Sequence, residues 1–312
     1  MNANIFNKSV SIIAGPCSVD FDNLTDIFKI AKIKVKNRFG RKQRAIFGTR
    51  VVGLKSRTSL SRDGRNMGID FPIFRKNIDL LMKGKSFNEL KILPSVRIAK
   101  TIIKETGMLI ASEIMDPLSQ LPIFERILPK EKVMIWNPAV SQLGWPILNM
   151  SIFAKRNHWM LGLKNPKWFG DESLGQTTME KTWVGLTHFT GLNEPGHEEK
   201  LVLIHRGVDI YNKGDYRNLP VHQAAKRAKQ ASGAKLYFDP SHIHGPKLRD
   251  SIVTATVEAM KMKIDDENFL YDGVLIEVGH SKTDTEQHIT IAELQDMCCQ
   301  ISKDRDLMEP KN

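Results

Sequence analysis

Short apolar runs alternate with segments of helical spacing along almost the whole chain. Each run ends in a polar turn, and a stretch whose apolar positions recur with a helical period follows it. Near-continuous apolar strands that alternate with helices are typical of a parallel sheet covered by helices. Eight such runs occur, in residues 11–18, 44–56, 108–116, 132–139, 158–165, 201–207, 234–242 and 272–280.

Eight strand–helix units in 312 residues predict a (β/α)8 TIM barrel, a fold that takes about 250 residues plus insertions. An open doubly wound sheet is the alternative, but it requires a Gly-rich phosphate loop after the first strand, and AGPCS at 14–18 has one glycine. No low-complexity linker divides the sequence. We therefore expect a single α/β domain over residues 1–312, with no separate regulatory domain. The helical stretches include 117–128, 143–156, 177–189, 218–232, 246–263 and 289–302.

The composition is that of an ordinary globular protein, with 41% hydrophobic and 26% charged residues. No apolar run approaches the ~18 residues that a membrane helix needs, and we find no signal peptide. Cys17, Cys298 and Cys299 make an odd count with two adjacent members, which argues against a disulfide framework. We therefore expect a cytoplasmic protein that does not contact a membrane.

The net charge of +11 indicates anionic partners. Basic residues are concentrated at 29–44, in KIAKIKVKNRFGRKQR, which we interpret as the solvated face of an amphipathic helix. The sequence has no zinc-finger spacing, no RNA-recognition signature and no aromatic-rich stripe. Small phosphorylated substrates are therefore a better interpretation of the charge than nucleic acid.

Reactive side chains are concentrated where the predicted strands end. Because the carboxyl ends of barrel strands meet on one face, where active sites are built, these side chains are predicted to share one pocket. The longest irregular segments, 57–74 and 165–176, also follow strands and are expected on that face. The strand-end residues are Cys17, Arg50, Lys55, Arg57, Thr58, Glu113, Asp116, Lys164, Asn165, His205, Arg206, Asp239, His242, Glu277 and His280.

One subset has the composition of a metal site. Cys17, His242, Glu277 and the nearby Asp284 offer a thiolate, an imidazole and two carboxylates, a mixed set that suits a divalent transition metal such as Zn, Fe or Mn. Each residue alone also has a structural interpretation. A lone cysteine in a strand is commonly a small buried apolar residue, and His242 could be a hydrogen-bonded turn residue.

A second subset is cationic. Arginine holds phosphate and carboxylate groups through paired hydrogen bonds, so clustered cations at a barrel mouth indicate an anionic substrate. Salt bridges to Glu113, Asp116 and Asp239 are the structural alternative for any single member. The subset consists of Arg50, Lys55, Arg57, Lys164 and Arg206.

Seven short motifs resemble the 3-deoxy-D-arabino-heptulosonate 7-phosphate (DAHP) synthases, whose superfamily includes 3-deoxy-D-manno-octulosonate 8-phosphate synthase. They occur in the order found in the family, each at a predicted strand end. No single motif is specific to the family, but seven motifs in this order are. KSRTS at 55–59 resembles the Lys-Pro-Arg-Thr loop of the heptulosonate enzymes. The motifs are AGPCS (14–18), GLKSRTS (53–59), SEIMDP (112–117), GLKN (162–165), HRG (205–207), DPSH (239–242) and LIEV (275–278).

The resemblance implies a metal-dependent transferase that condenses phosphoenolpyruvate with erythrose 4-phosphate and releases phosphate, the first step of the shikimate pathway to aromatic amino acids. It also implies a homo-oligomer, a dimer or tetramer, because barrels of this family commonly associate. The implied cofactor is a divalent metal ion (Mn, Fe, Zn or Co) bound by Cys17, His242, Glu277 and Asp284.

The resemblance also assigns substrate roles. Lys55 would lie between the two substrates, and Asp239 would lie near the erythrose hydroxyls. Arg57 and Thr58 would hold the erythrose phosphate. The expected catalytic residues are Lys55, Lys164 and Asp239. The expected substrate-binding residues are Arg50, Arg57, Thr58, Glu113, Asn165 and Arg206, of which Arg50 and Arg206, together with Lys164, match ligands of phosphoenolpyruvate.

The chain departs from the family pattern after the fourth strand. The family has an Ala-Arg pair there whose arginine grips phosphoenolpyruvate, whereas this sequence reads IWNPAVSQ at 135–142. Two alternatives to a DAHP synthase therefore stay open. One is a related synthase that uses another aldose, and the other is a barrel that binds a phosphorylated ligand without catalysis.

Overall fold

The structure is a computed structural model that describes residues 9–55, 67–173, 175–192, 198–282 and 286–310. Eight parallel strands close into a barrel in chain order, with β1 paired to both β2 and β8. The predicted (β/α)8 barrel is therefore confirmed, and each predicted apolar run contains one strand. The strands are β1 Ser11–Gly15, β2 Gly48–Arg50, β3 Leu109–Glu113, β4 Val133–Trp136, β5 Met160–Lys164, β6 Leu201–His205, β7 Lys235–Phe238 and β8 Gly273–Glu277.

Helices follow the strands and cover the outside of the barrel. Several begin at sequence signals that supply the first turn, such as Pro94, Pro117 and the capping boxes of Thr177 and Thr290. The helices are α1 Leu24–Ala31, α2 Phe71–Met82, α3 Pro94–Thr106, α4 Pro117–Ile127, α5 Gly144–Asn157, α6 Thr178–Thr190, α7 His222–Ser232, α8 Pro240–His244, α9 Ile252–Lys261 and α10 Ile291–Asp304. None of these described helices is long and apolar enough to cross a membrane.

Side chains on the strands alternate between two cores, as the two-residue period requires. On β4, Met134 and Trp136 belong to the core inside the barrel, whereas Val133 and Ile135 pack with the helices. Gly162 on the neighbouring β5 makes this possible, because a Cβ there would lie 2.8 Å from Met134 Cε and 3.1 Å from Trp136 Cβ. The absence of a side chain at Gly162 thus leaves room for a tryptophan inside the barrel.

The basic stretch at 29–44 is not a single helix face, and that interpretation was wrong. Helix α1 ends at Ala31, and Lys34–Lys36 and Lys42–Arg44 form an antiparallel hairpin. Only Val35 is buried along its first strand, which is the alternation of a strand rather than helical spacing. Such a short segment has too few apolar positions to distinguish the helical repeat of 3.6 residues from the strand repeat of two.

The two ends of the described chain meet at the amino-terminal end of the barrel. Val10 forms a parallel bridge with Leu307, and the Met308 N–H donates to the Val10 carbonyl at 2.9 Å. The side chain of Gln43, in the basic hairpin, donates to the Leu307 carbonyl at 2.9 Å. These segments close the face opposite the strand ends that carry the charged residues.

Asp70 fixes the backbone that follows β2. Its carboxylate accepts the Ser95 N–H at 2.8 Å and the Ser95 hydroxyl, and its own N–H donates to the Gly53 carbonyl at 2.9 Å. A side chain at Gly53 would collide with this carboxylate. Burial raises the pKa of Asp70 to about 6, although the hydrogen bonds from Ser95 oppose the rise. Ionisation of Asp70 therefore destabilises the folded state, at a residue that holds the backbone next to Lys55.

We expect Asp70→Asn to stabilise the fold increasingly as the pH rises. Below about pH 4 the carboxyl is protonated in both the folded and the unfolded chain, so it carries no penalty. As the pH rises through about 6, the folded state must ionise a buried group, which costs about 3 kcal/mol. The amide keeps the acceptor for the Ser95 N–H without a charge.

Urea unfolding of wild type and variant at about pH 4 and about pH 7 measures this difference. The stability gain of the variant should grow toward neutral pH. Asp250→Asn is the control, since the Asp250 side chain is 99% exposed. A gain of the same size at both pH values would contradict the expectation.

Candidate active site

The carboxyl ends of the strands bring charged and polar side chains into one pocket at the barrel mouth. Lys55 and His242 are partly exposed, and the rest are buried. Burial of so many charges is costly unless each is paired or meets a ligand. The buried members are Cys17, Arg50, Glu113, Lys164, Asn165, Arg206, Asp239 and Glu277.

An ion pair joins β2 to β8 across β1. Arg50 Nη2 donates to Glu277 Oε1 at 2.9 Å, and Gln287 donates to Glu277 Oε2 at 2.5 Å. Burial alone raises the pKa of a carboxyl, but the surrounding groups, of which His242 and Arg50 have the largest effects, outweigh it and lower the pKa of Glu277. Glu277 is therefore an ionised carboxylate on the pocket wall.

A second buried pair joins β3 to β5. Lys164 Nζ lies 2.5 Å from Glu113 Oε1 and 5.5 Å from the centre of the Trp136 ring. Burial raises the pKa of Glu113, but Lys164 and Lys55 outweigh this effect and lower it to about 2. Burial lowers the pKa of Lys164. Glu113 thus keeps its charge and holds the Lys164 ammonium inside the pocket.

Lys55 lies beside the thiol at the end of β1. Its Nζ is 3.1 Å from Cys17 Sγ and 3.5 Å from the Cys17 carbonyl. Burial lowers the pKa of this ammonium, but Cys17, Glu113 and Glu277 outweigh that effect and raise it. Lys55 therefore remains a cation next to the sulfur.

Asp239 orients the imidazole of His242. The Asp239 side chain caps the short helix α8, and His242 Nδ1 lies 2.9 Å from its Oδ1. Burial lowers the pKa of His242 well below its ordinary value, so the ring is neutral. Because the carboxylate accepts, the ring proton lies on Nδ1 and the lone pair on Nε2.

Asn165 acts on Arg206 through the backbone. The Asn165 amide donates to the Gly207 carbonyl at 2.9 Å and to the Pro166 carbonyl at 2.7 Å, while its oxygen accepts the Arg206 N–H at 2.8 Å. This side chain is fully buried and ties the β5 and β6 loops together. Its geometry positions Arg206, and its predicted direct contact with substrate stays a prediction.

Three donor groups lie close enough together to hold one metal ion. Single donor atoms of Cys17, Glu277 and His288 all lie within 4.8 Å of one another. His288 Nδ1 is 2.7 Å from the Gly279 carbonyl, so Nδ1 carries the proton and the lone pair lies on Nε2, which is 3.8 Å from Glu277 Oε2. A thiolate, a carboxylate and an imidazole are a donor set that fits a divalent transition metal.

Sequence reasoning missed His288 and Gln287. Both lie beyond the end of β8 in a segment whose Val278–Ile289 bridge brings it back along the strand. The signal in the sequence was the imidazole of His288 eleven residues after the strand-end carboxylate of Glu277. It was not enough, because the sequence does not show the bridge that returns His288 to the strand. Within the described residues, His242 does not belong to the group of three donors, so its predicted ligand role stays a prediction. Arg57, Thr58 and Asp284 lie outside the described residues.

Comparison with known proteins identifies the fold. No protein-family model matches the sequence, and no curated protein matches it. The phospho-2-dehydro-3-deoxyheptonate aldolase (DAHP synthase) of Thermotoga maritima has a similar structure, with TM-score 0.67 and 15% identity over 97% of this chain and 72% of that chain. A truncated form of the Thermotoga maritima 3-deoxy-D-arabino-heptulosonate 7-phosphate synthase gives TM-score 0.64 and 15% identity, over 97% of this chain and 90% of that one.

These similarities extend along nearly the whole chain and agree with the motifs at its strand ends. The chain therefore shares the fold of these two DAHP synthases.

Proposed function

We propose that the chain is a synthase of the DAHP-synthase type, which condenses phosphoenolpyruvate with erythrose 4-phosphate. The observation that carries this proposal is the pocket itself. Buried cations lie beside a thiol, a carboxylate and an imidazole, at the strand ends where this fold builds active sites. A doubly anionic substrate and a divalent metal are the ligands that such a pocket accommodates.

The buried cations would bind phosphoenolpyruvate. Arg50, Lys164 and Arg206 come from three different strands, and they match phosphoenolpyruvate ligands in the resembling family. Glu113 keeps Lys164 in the pocket at 2.5 Å. Charge-assisted hydrogen bonds from arginine to phosphate or carboxylate are strong and directional. On this proposal Arg57 and Thr58 hold the erythrose phosphate, and Asp239 lies near the erythrose hydroxyls.

A divalent metal would be held by Cys17 and Glu277 together with an imidazole. When bound, the metal supplies a Lewis acid that polarises the aldehyde oxygen. The geometry favours His288 as the imidazole, because its donor atom lies with those of Cys17 and Glu277. His242 and Asp284, which the resemblance implies, are the other proposed ligands.

The condensation requires one new carbon–carbon bond and the loss of phosphate. C3 of phosphoenolpyruvate attacks the aldehyde carbon, water adds at C2, and phosphate leaves with cleavage of its C–O bond. Negative charge develops on the aldehyde oxygen, which needs a proton. We propose that the Lys55 ammonium stabilises that charge and donates the proton, because its raised pKa beside Cys17 keeps it protonated and therefore cationic.

Two alternatives follow from the end of β4. The segment IWNPAVSQ at 135–142 has no Ala-Arg pair, so it lacks the arginine that grips phosphoenolpyruvate in the family pattern. A related synthase would bind phosphoenolpyruvate in the same pocket and condense it with another aldose. A non-catalytic barrel would bind a phosphorylated ligand without turnover. The homo-oligomer and the cytoplasmic location also remain predictions.

Phosphate release from phosphoenolpyruvate tests the proposed reaction. Purified protein is assayed with erythrose 4-phosphate, arabinose 5-phosphate or N-acetylmannosamine in turn, with Mn²⁺ or with EDTA. We expect metal-dependent release with erythrose 4-phosphate only. Release with another aldehyde would favour the second synthase. A folded protein that binds phosphoenolpyruvate and releases no phosphate with any aldehyde would contradict catalysis.

Lys164→Met should weaken phosphoenolpyruvate binding. The variant keeps the aliphatic stem, removes the buried ammonium and leaves Glu113 unpaired, so we expect a loss of about 2–4 kcal/mol, or roughly 30-fold to 1000-fold in affinity. Isothermal titration calorimetry measures this affinity without requiring turnover. Lys247→Met is the control, because the Lys247 side chain is 73% exposed. Unchanged affinity in Lys164→Met would exclude this lysine from the binding site.

Metal content of the variants identifies the ligands. We expect Cys17→Ser and His288→Ala to lose most bound Mn²⁺ or Co²⁺ after dialysis, measured by elemental analysis. Loss of a thiolate–cobalt charge-transfer band in Cys17→Ser would support direct ligation. His242→Ala is the matched imidazole variant. Metal loss in His242→Ala with retention in His288→Ala would show that the ligand implied by the resemblance is the correct one.

A further inference from the structure

The pocket contains buried hydrogen-bond donors that have no acceptor. Among the described residues, Trp136 Nε1, Arg50 Nη1 and Arg206 Nε are buried without a hydrogen-bond partner. A buried donor without a partner costs about as much as a lost hydrogen bond, so such groups are rare outside sites that bind a ligand. All three groups can only donate, so each requires an acceptor, and an anion is a ligand that offers several acceptor oxygens.

Trp136 lies at the level where the pocket begins. It is the last residue of β4, and its strand neighbours in register are Glu113 on β3 and Gly162 on β5. The ring centre is 5.7 Å from Arg50 Cζ and 5.5 Å from Lys164 Nζ. Both cations therefore lie near the indole, at distances within the range of a cation–π contact.

The other buried tryptophans show that an unpartnered indole is exceptional here. Trp159 Nε1 donates to the Pro129 carbonyl at 3.3 Å, and Trp183 Nε1 donates to the Leu163 carbonyl at 2.8 Å. All three rings are completely buried. Only the indole at the barrel mouth lacks an acceptor among these three, and it is the one that lies beside Arg50 and Lys164.

We propose that Trp136 is a specificity-determining residue whose indole N–H donates a hydrogen bond to the anionic substrate, between Arg50 and Lys164. This inference rests on the proposed function for the identity of the anion, which is phosphoenolpyruvate. It explains how β4 can contribute to the site although the segment that follows it, up to residue 142, contains no arginine. The indole N–H of Trp136, the last residue of β4, would be a neutral donor in place of the arginine that the family pattern has after this strand.

Substitution by phenylalanine separates the hydrogen bond from the packing. Trp136→Phe keeps an aromatic ring and removes the N–H, and we expect phosphoenolpyruvate to bind about tenfold to a hundredfold more weakly. In the absence of ligand the variant loses buried volume but no hydrogen bond, so its stability should fall less than that of Trp159→Phe, which also breaks the bond to the Pro129 carbonyl. Calorimetric titrations with phosphoenolpyruvate, inorganic phosphate and pyruvate distinguish the phosphate from the carboxylate as the group that the indole contacts.

Trp159→Phe is the matched control, because it changes a buried tryptophan at the other end of the barrel. Its affinity for phosphoenolpyruvate should equal that of wild type. Equal affinity in Trp136→Phe would overturn the inference while leaving the proposed function intact. A folded wild-type protein that binds none of the three anions would overturn both.

Wild-type protein with 15N-labelled tryptophan provides a test that does not depend on the variant folding. Phosphoenolpyruvate should shift one buried indole N–H resonance downfield, as expected when the N–H gains a charged acceptor. The exposed Trp145 and Trp168 are internal references. Saturation with phosphoenolpyruvate that leaves every buried indole resonance unmoved would overturn the inference.

Discussion

The ion pair between Arg50 and Glu277 is the interaction on which the pocket depends. It joins β2 to β8 on either side of β1, at 2.9 Å and with both side chains almost fully buried. Removal of one partner from a buried pair leaves an uncompensated charge, which costs about 3–5 kcal/mol. The pair therefore fixes Arg50 and Glu277 together. Because Glu277 is also one of the three clustered donors, the proposed anion-binding and metal-binding halves of the site would share one anchor.

On the proposed function, electrostatic preorganisation would explain why so many charges are buried together. Fixed dipoles and charges in a water-poor pocket stabilise developing charge without reorganising during the reaction. Glu113 holds Lys164, Asp239 orients His242, and Asn165 fixes the backbone of Arg206. Each carboxylate or amide thus positions a group that faces the pocket. The cost of burying the set is consistent with a site that binds a highly charged ligand.

The barrel was predictable from sequence because its strands are continuous apolar runs ended by polar turns. The convergence of Cys17, Arg50, Lys164 and Glu277 followed from the geometry of that fold. The hairpin of Lys34–Lys36 and Lys42–Arg44 was not predictable, since strands of three residues are too short to show an alternation of apolar and polar positions. His288 and the role of Trp136 were also missed, because they depend on a bridge beyond β8 and on the absence of a side chain at Gly162.

The bridge between Val10 and Leu307 holds the first and last described segments of the chain away from the site. The two segments lie side by side at the face of the barrel opposite the pocket. A short peptide linker could therefore join them without crossing the mouth, and new ends could be opened in an exposed loop elsewhere, as circular permutation requires.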